Sequence, residues 1–189
     1  MAFIGAKPTN VPLTSADIQD GTVALADLSA TGTKDSTTFL RGDNTFAVAG
    51  GTNEAEFSVT LGSSGTTNIA TNTSTIIPFT NEEFDPDGVF NTSTYKFTAP
   101  SAGKYFFSWL LRKSDFTSNR FFVDMFKNDS EVGTFETGVG SSDFGSITGN
   151  ILLNLAQNDT VYGKVTHNQG GTQALSNPSC RFFGFKLIG

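Results

Sequence analysis

From about residue 54 onward, apolar side chains recur at every second position in short runs, which is the period of a β-strand, without the three-to-four spacing of an amphipathic helix. The pattern predicts strands over roughly 55–61, 75–79, 93–98, 103–112, 119–127, 130–137, 146–155, 160–167 and 180–188. Between them lie turn sequences: Asp85-Pro-Asp-Gly88, Lys127-Asn-Asp129, Gln157-Asn-Asp159 and Gln169-Gly-Gly171. Many short strands joined by Gly and Asx turns indicate an all-β sandwich or jelly roll.

Several strands are apolar on both faces. Tyr105, Phe107 and Trp109 alternate with Phe106, Ser108 and Leu110. Phe121, Val123 and Met125 alternate with Phe122, Asp124 and Phe126, and Phe183, Phe185 and Leu187 with Phe182, Gly184 and Lys186. An antiparallel sheet with one wet face should alternate apolar with polar, so the outer face is expected to be buried in an oligomer.

Residues 1 to about 50 differ. They are rich in Ala, Thr, Asp and Gly, with short apolar triplets such as Val23-Ala-Leu25, and offer too little apolar surface to offset the cost of ordering a backbone. This stretch is expected to be an extended arm, disordered or docked on a partner. Ser15-Ala-Asp-Ile18 followed by Asp20-Gly21 could open a single helical turn, and Phe39, Leu40 and Phe46 read as anchors. The remainder, 51–189, is expected to form the jelly-roll domain.

Composition supports this class. Nineteen Phe, 20 Gly and only two Met among 189 residues favour strands and turns. A net charge of −6 supplies no basic footprint for nucleic acid and makes anionic membrane surfaces poor partners. The single cysteine, Cys180, lies in the apolar final strand and reads as a buried, inert thiol. No run approaches the ~18 apolar residues of a membrane span, and Met1–Asn10 lacks the apolar centre of a secretory signal, so synthesis in a cytosol is expected. Without such a signal the glycosylation sequons at Asn72, Asn91, Asn128 and Asn158 read as turn residues.

Catalytic chemistry finds little support. His167 is the only histidine, which leaves no second imidazole for a metal site and no evident base beside a nucleophile; a solvated loop position is expected for it. Glu82, Glu83, Asp85 and Asp87 crowd one loop. Facing carboxylates ~5–10 Å apart can hydrolyse glycosides and oxygen-rich loops can hold Ca²⁺, but the spacing is not that of an EF-hand and a solvated acidic turn is the expectation. Arg41-Gly42-Asp43 invites an adhesion reading, yet within Phe-Leu-Arg-Gly-Asp-Asn-Thr-Phe it is good turn chemistry. Neither a cofactor, a metal nor a catalytic residue is assigned.

Two resemblances sharpen the picture. Ile77-Pro-Phe79, Phe90-Asn91, Tyr95-Lys-Phe-Thr-Ala-Pro100, Gly103-Lys-Tyr-Phe-Phe-Ser108, Leu153-Asn-Leu155, Asn158-Asp-Thr-Val161 and Phe182-Phe-Gly-Phe185 resemble, in this order, the globular head of complement recognition proteins and tumour-necrosis-factor-like domains. Asn158 stands where Gly often precedes the Asp in that pattern, which should alter a turn but not the fold. The resemblance implies a jelly roll of about ten antiparallel strands that assembles as a homotrimer around an aromatic axis. Phe3-Ile-Gly-Ala-Lys-Pro-Thr-Asn-Val-Pro-Leu-Thr14, Asp27-Leu-Ser-Ala-Thr-Gly-Thr33 and Ser36–Phe46 resemble the leader and linker of tail-fibre and related appendage proteins of tailed bacteriophages, notably those of marine cyanobacteria.

Together these imply a virion structural protein whose arm attaches to a tail or head protein through Phe3, Ile4, Phe39, Leu40 and Phe46. Its trimer is expected to pack through Tyr105, Phe107, Trp109, Phe183 and Phe185 and to present loops to a host-surface glycan or protein. A capsid decoration protein clamping neighbouring capsomers is the alternative, and a glycan depolymerase a more distant one.

Overall fold

The computed structural model describes Thr14, Ala24 and residues 29–48, 55–116, 120–137 and 142–187, with backbone only at 114–116, 137 and 142–144. Phe3, Ile4 and the expected helical turn near Ser15 lie outside the described residues. The chain divides into two units, Met1–Gly51 and Thr52–Gly189.

In the first unit, β1 (Thr38–Leu40) and β2 (Phe46–Val48) form an antiparallel hairpin in which Thr38 faces Val48, Phe39 faces Ala47 and Leu40 faces Phe46. Asx turns shape it. Asp35 accepts the Thr37 N–H and hydroxyl at 2.8 and 2.6 Å, and Asp43 does the same for Thr45 at 3.2 and 2.6 Å. The Arg41-Gly-Asp43 tripeptide is the tip of this hairpin, and Arg41 folds back to 3.9 Å from Asp43.

The second unit begins with β3 (Phe57–Thr60), β4 (Thr66–Ile69), β5 (Thr75–Ile76), β6 (Asn81–Phe84), β7 (Phe90–Asn91), β8 (Lys96–Thr98) and the long β9 (Gly103–Phe116). It continues with β10 (Phe121–Lys127), β11 (Ser130–Thr137), β12 (Ser142–Leu155), β13 (Thr160–His167), β14 (Gln173–Ser176), one 3-10 turn at Asn177–Ser179, and β15 (Arg181–Lys186). The expected strands are all present, with shifted ends. The short strands β4, β6, β7 and β14 join them, held by pairing where their own patterning is weak: β6 on β3, β7 on β8, and β4 on β14, which reaches β9 at Leu175.

Two antiparallel sheets make the jelly roll. One runs β11-β10-β13-β8-β7, with β5 also on β13; the other runs β4-β14-β9-β15-β3-β6, with β12 on the far side of β9. Their inner faces interlock around Phe57, which stacks on Phe90 and Phe97 at 5.2 and 5.3 Å and meets Phe182 edge-on at 5.1 Å. Two glycines make room for the rings opposite them. Gly149 faces Trp109 across β12–β9, and a Cβ there would sit 2.1 Å from the indole; Gly184 faces Phe107 across β15–β9, where a Cβ would lie 2.6 Å from that ring.

This register corrects part of the expected interface. Tyr105, Phe107 and Trp109 are at most 1% exposed and point into the sandwich of a single chain, so they have no surface to offer a second copy. The outward residues of β9 are Phe106, Ser108 and Leu110, and Phe183 and Phe185 lie on their side of the sheet. His167 is a second correction: it ends strand β13 and is fully buried, not in a solvated loop.

Candidate assembly face

The outer face of the seven-stranded sheet is built by cross-strand neighbours that share one side of the pleat. One rank runs Leu152–Phe106–Phe185 across β12, β9 and β15. The next runs Asn150–Ser108–Phe183–Ser58–Phe84 into β3 and β6, and a third Thr148–Leu110–Arg181–Thr60–Asn81. Leu152 is 56% exposed, Phe84 50% and Leu110 37%. Phe106, Phe183 and Phe185 are half-buried, the Phe106 and Phe185 rings 5.5 Å apart.

Polar groups along the β6 side are satisfied internally. Arg181 Nη2 donates to Glu83 Oε1 at 2.6 Å, Glu83 Oε2 accepts the Ser58 hydroxyl at 2.7 Å, and Asn81 Nδ2 donates to Thr60 Oγ1 at 2.9 Å. Ser58 and Thr60, both buried, thus each have a hydrogen-bond partner, as buried polar groups generally do. Below Leu110 the face dips into a shallow depression lined by Arg112, Pro178, Ser179, Arg181 and Phe183.

The outer face of the six-stranded sheet is finished differently. Arg120 lies 5.0 Å over Phe122 while forming a two-pronged pair with Glu136 at 2.6 and 3.0 Å. Phe126 and Tyr162 stack at 5.3 Å, with Lys164 4.4 Å over the first ring and Lys96 4.3 Å over the second. The Tyr162 hydroxyl donates to Asp129 at 2.9 Å; burial, and then that carboxylate, push the phenol up to about 12. Asp129 in turn is held low, chiefly by its hydrogen bond from Lys96. Each ring here is covered by a cation or another ring.

Two turns close the sandwich. Asp159 accepts from Lys127 Nζ at 2.8 Å, Asn128 Nδ2 at 2.6 Å and the Ala156 N–H at 2.8 Å, which lower its carboxyl to about 2. The sequon asparagines serve such turns. Asn72, Asn128 and Asn158 sit in the left-handed region at φ 53°, 48° and 69°, and Asn91 Oδ1 accepts the Ser93 and Thr94 N–H groups.

The acidic segment is not a free loop. Glu82 and Glu83 belong to β6. Asp85 accepts the Val89 and Phe90 N–H groups at 2.9 and 2.7 Å, and Asp87 that of Ala55 at 2.8 Å. Among the described residues no group of three or more His, Cys, Asp and Glu is placed to hold a metal. His167 Nε2 lies 2.9 Å from the Ile69 carbonyl, which can only accept, so that nitrogen carries the proton. Cys180 is fully buried, and desolvation pushes its thiol up to about 11. Of the expected attachment residues, Phe39 and Leu40 are exposed and Phe46 is half-buried.

This architecture is that of the complement and tumour-necrosis-factor jelly rolls, and a model of the C1q domain matches residues 57–187. The chain belongs to the C1q-domain family. Among solved structures, the globular domain of zebrafish complement 1qA is 18% identical, with 71% of this chain and 97% of that one covered at a TM-score of 0.56. Eiger TNF from S. frugiperda is 11% identical, covering 72% and 94% at 0.53, and murine APRIL is 12% identical, covering 70% and 98% at 0.53. No curated protein sequence matched. At these identities the structural likeness establishes the fold.

Proposed function

We propose that this protein is a homotrimeric, non-enzymatic binding head displayed on a bacteriophage virion, a tail fibre or tail-associated appendage. The observation that carries the assembly is the uncovered apolar outer face of the seven-stranded sheet, with Leu152, Phe106, Phe185, Phe183, Leu110 and Phe84. The other sheet covers its rings with Lys and Arg; among the described residues no such cation lies over Phe84, Phe106, Phe183 or Phe185. Burying a Leu or Phe side chain gains about 1.5–3 kcal/mol, so three such faces supply enough to hold a trimer together.

Binding would be multivalent: three copies present identical loops, and individually weak contacts add through effective concentration. The virion setting is supported by the resemblance of residues 3–14, 27–33 and 36–46 to phage appendage leaders and linkers, and the arm is the natural attachment segment. A capsid decoration protein would use the same trimer and arm. Gold-labelled antibodies against residues 54–189 test the setting on intact virions. Label on the tail or its fibres is the expected result; label over the head assigns the decoration role, and unlabelled particles overturn the virion reading.

A further inference from the structure

Where the apolar ranks of the seven-stranded sheet end, the chemistry of its outer face changes. The depression below Leu110 has a volume of about 470 Å³ and is lined by Leu110, Arg112, Pro178, Ser179, Arg181 and Phe183. Arg181 is the cross-strand partner of Leu110, and Arg112 follows two residues along the same side of β9, so two guanidiniums rise from neighbouring strands. The lining holds no carboxylate, in a chain whose net charge is −6. It is a local reversal of sign, which draws anions.

The walls are fixed by hydrogen bonds. Glu83, from outside the lining, takes one N–H of Arg181 at 2.6 Å; among the described residues no other side chain takes the rest of its guanidinium donors. The Asn177–Ser179 turn is pinned at both ends. Asn177 Nδ2 donates to the Ser64 carbonyl at 3.1 Å, and Asn177 Oδ1 accepts the Thr67 hydroxyl at 2.7 Å. The buried Cys180 clasps β9, its Sγ accepting the Arg112 N–H at 3.2 Å and donating to the Arg112 carbonyl at 3.4 Å. The backbone beneath both arginines is therefore held in place before any ligand arrives.

The geometry points to a binding site for an acidic saccharide, its carboxylate held by Arg112 and Arg181 and a C–H face of the sugar against Phe183, Leu110 and Pro178. Guanidinium forks match carboxylates two bonds at a time. A bare ion would leave most of the depression empty, whereas apolar walls with a few placed polar groups in a volume of ~300–1,000 Å³ suit a small organic ligand. Leu110 and Phe183 belong to the proposed assembly face as well, which sets the site at that face's charged margin. The inference deepens the binding-head reading and rests on it for a saccharide as the target.

Calorimetric titration of the full-length chain with trigalacturonate, galactotriose and triglutamate tests it. The expected result is saturable binding of trigalacturonate, weakened about tenfold or more in Arg112→Gln and less in Arg112→Lys, which keeps the charge but not the fork. Lys164→Gln, on the other sheet, should bind as the parent does, and each variant should keep the parent's circular dichroism spectrum. The neutral galactotriose and the sugar-free triglutamate should both bind far more weakly. The site is overturned if trigalacturonate does not bind, if galactotriose or triglutamate binds equally well, or if Lys164→Gln loses as much affinity as Arg112→Gln. Sedimentation of the same samples separates the two readings. A trimer that binds no trigalacturonate loses the site alone, and a single chain that binds it keeps the site and loses the trimer.

Discussion

Two glycines show how a single residue can fix the sandwich. Trp109 and Phe107 occupy space that a side chain at Gly149 or Gly184 would need. Gly149→Ala should therefore displace the indole and cost at least about 1–3 kcal/mol, the usual range for overpacking, seen as a lower midpoint in urea. Such a glycine is legible as an interruption in an apolar strand, as in Phe182-Phe-Gly-Phe185, but its partner is fixed only by register. Asp159 gives a pH-dependent counterpart. Its carboxyl is held at about 2 by Lys127, Asn128 and the Ala156 N–H, against ~3.9 in an unfolded chain. A depressed carboxyl stabilises the fold above the unfolded value and loses that contribution as pH falls toward the folded one. Thermal melts should show Asp159→Asn below the parent at pH 6, with the gap shrinking between pH 4 and pH 2.

At the scale of the strand, alternation revealed more than composition. The inner residues of β9 run Tyr105, Phe107, Trp109, Leu111, Lys113, so the same period that fills the core also carries a lysine inside, where charge alone would place it on the surface. Strands β3, β9, β13 and β15 were readable because they are long or strongly apolar. Their outward faces were not, since both faces of β9 are aromatic and only pairing with β15 and β12 tells Phe106 from Phe107. Strand β6 was hidden by its sequence, Asn-Glu-Glu-Phe, which reads as a solvated loop until Ser58, Thr60 and Arg181 supply its partners. The turn after it depends on Asp85, whose carboxylate accepts two backbone N–H groups. Asp85→Ala leaves those donors without their partner and should destabilise the domain by roughly 1–3 kcal/mol, with the greatest loss of amide-exchange protection at Val89 and Phe90.

The whole molecule presents two chemically unlike outer faces on one jelly roll. The six-stranded sheet is closed off by cation–ring contacts, while the seven-stranded sheet leaves a field of Leu and Phe beside an internally paired Arg181–Glu83 rim. That asymmetry, more than total apolar content, is what the proposed assembly rests on. The expectation of an oligomer came from the two-sided strands. Of the residues expected at its interface, Phe183 and Phe185 lie on the outer face of the sheet, and Tyr105, Phe107 and Trp109 lie inside the sandwich. Sedimentation equilibrium of the full-length chain, alone and as the Leu152→Asp/Phe185→Asp double variant, tests this most directly. The parent is expected at three times its 20.1 kDa chain mass, and the variant at one chain mass with an unchanged β-sheet spectrum. A parent that sediments as a single chain, or a folded variant that remains trimeric, would contradict it.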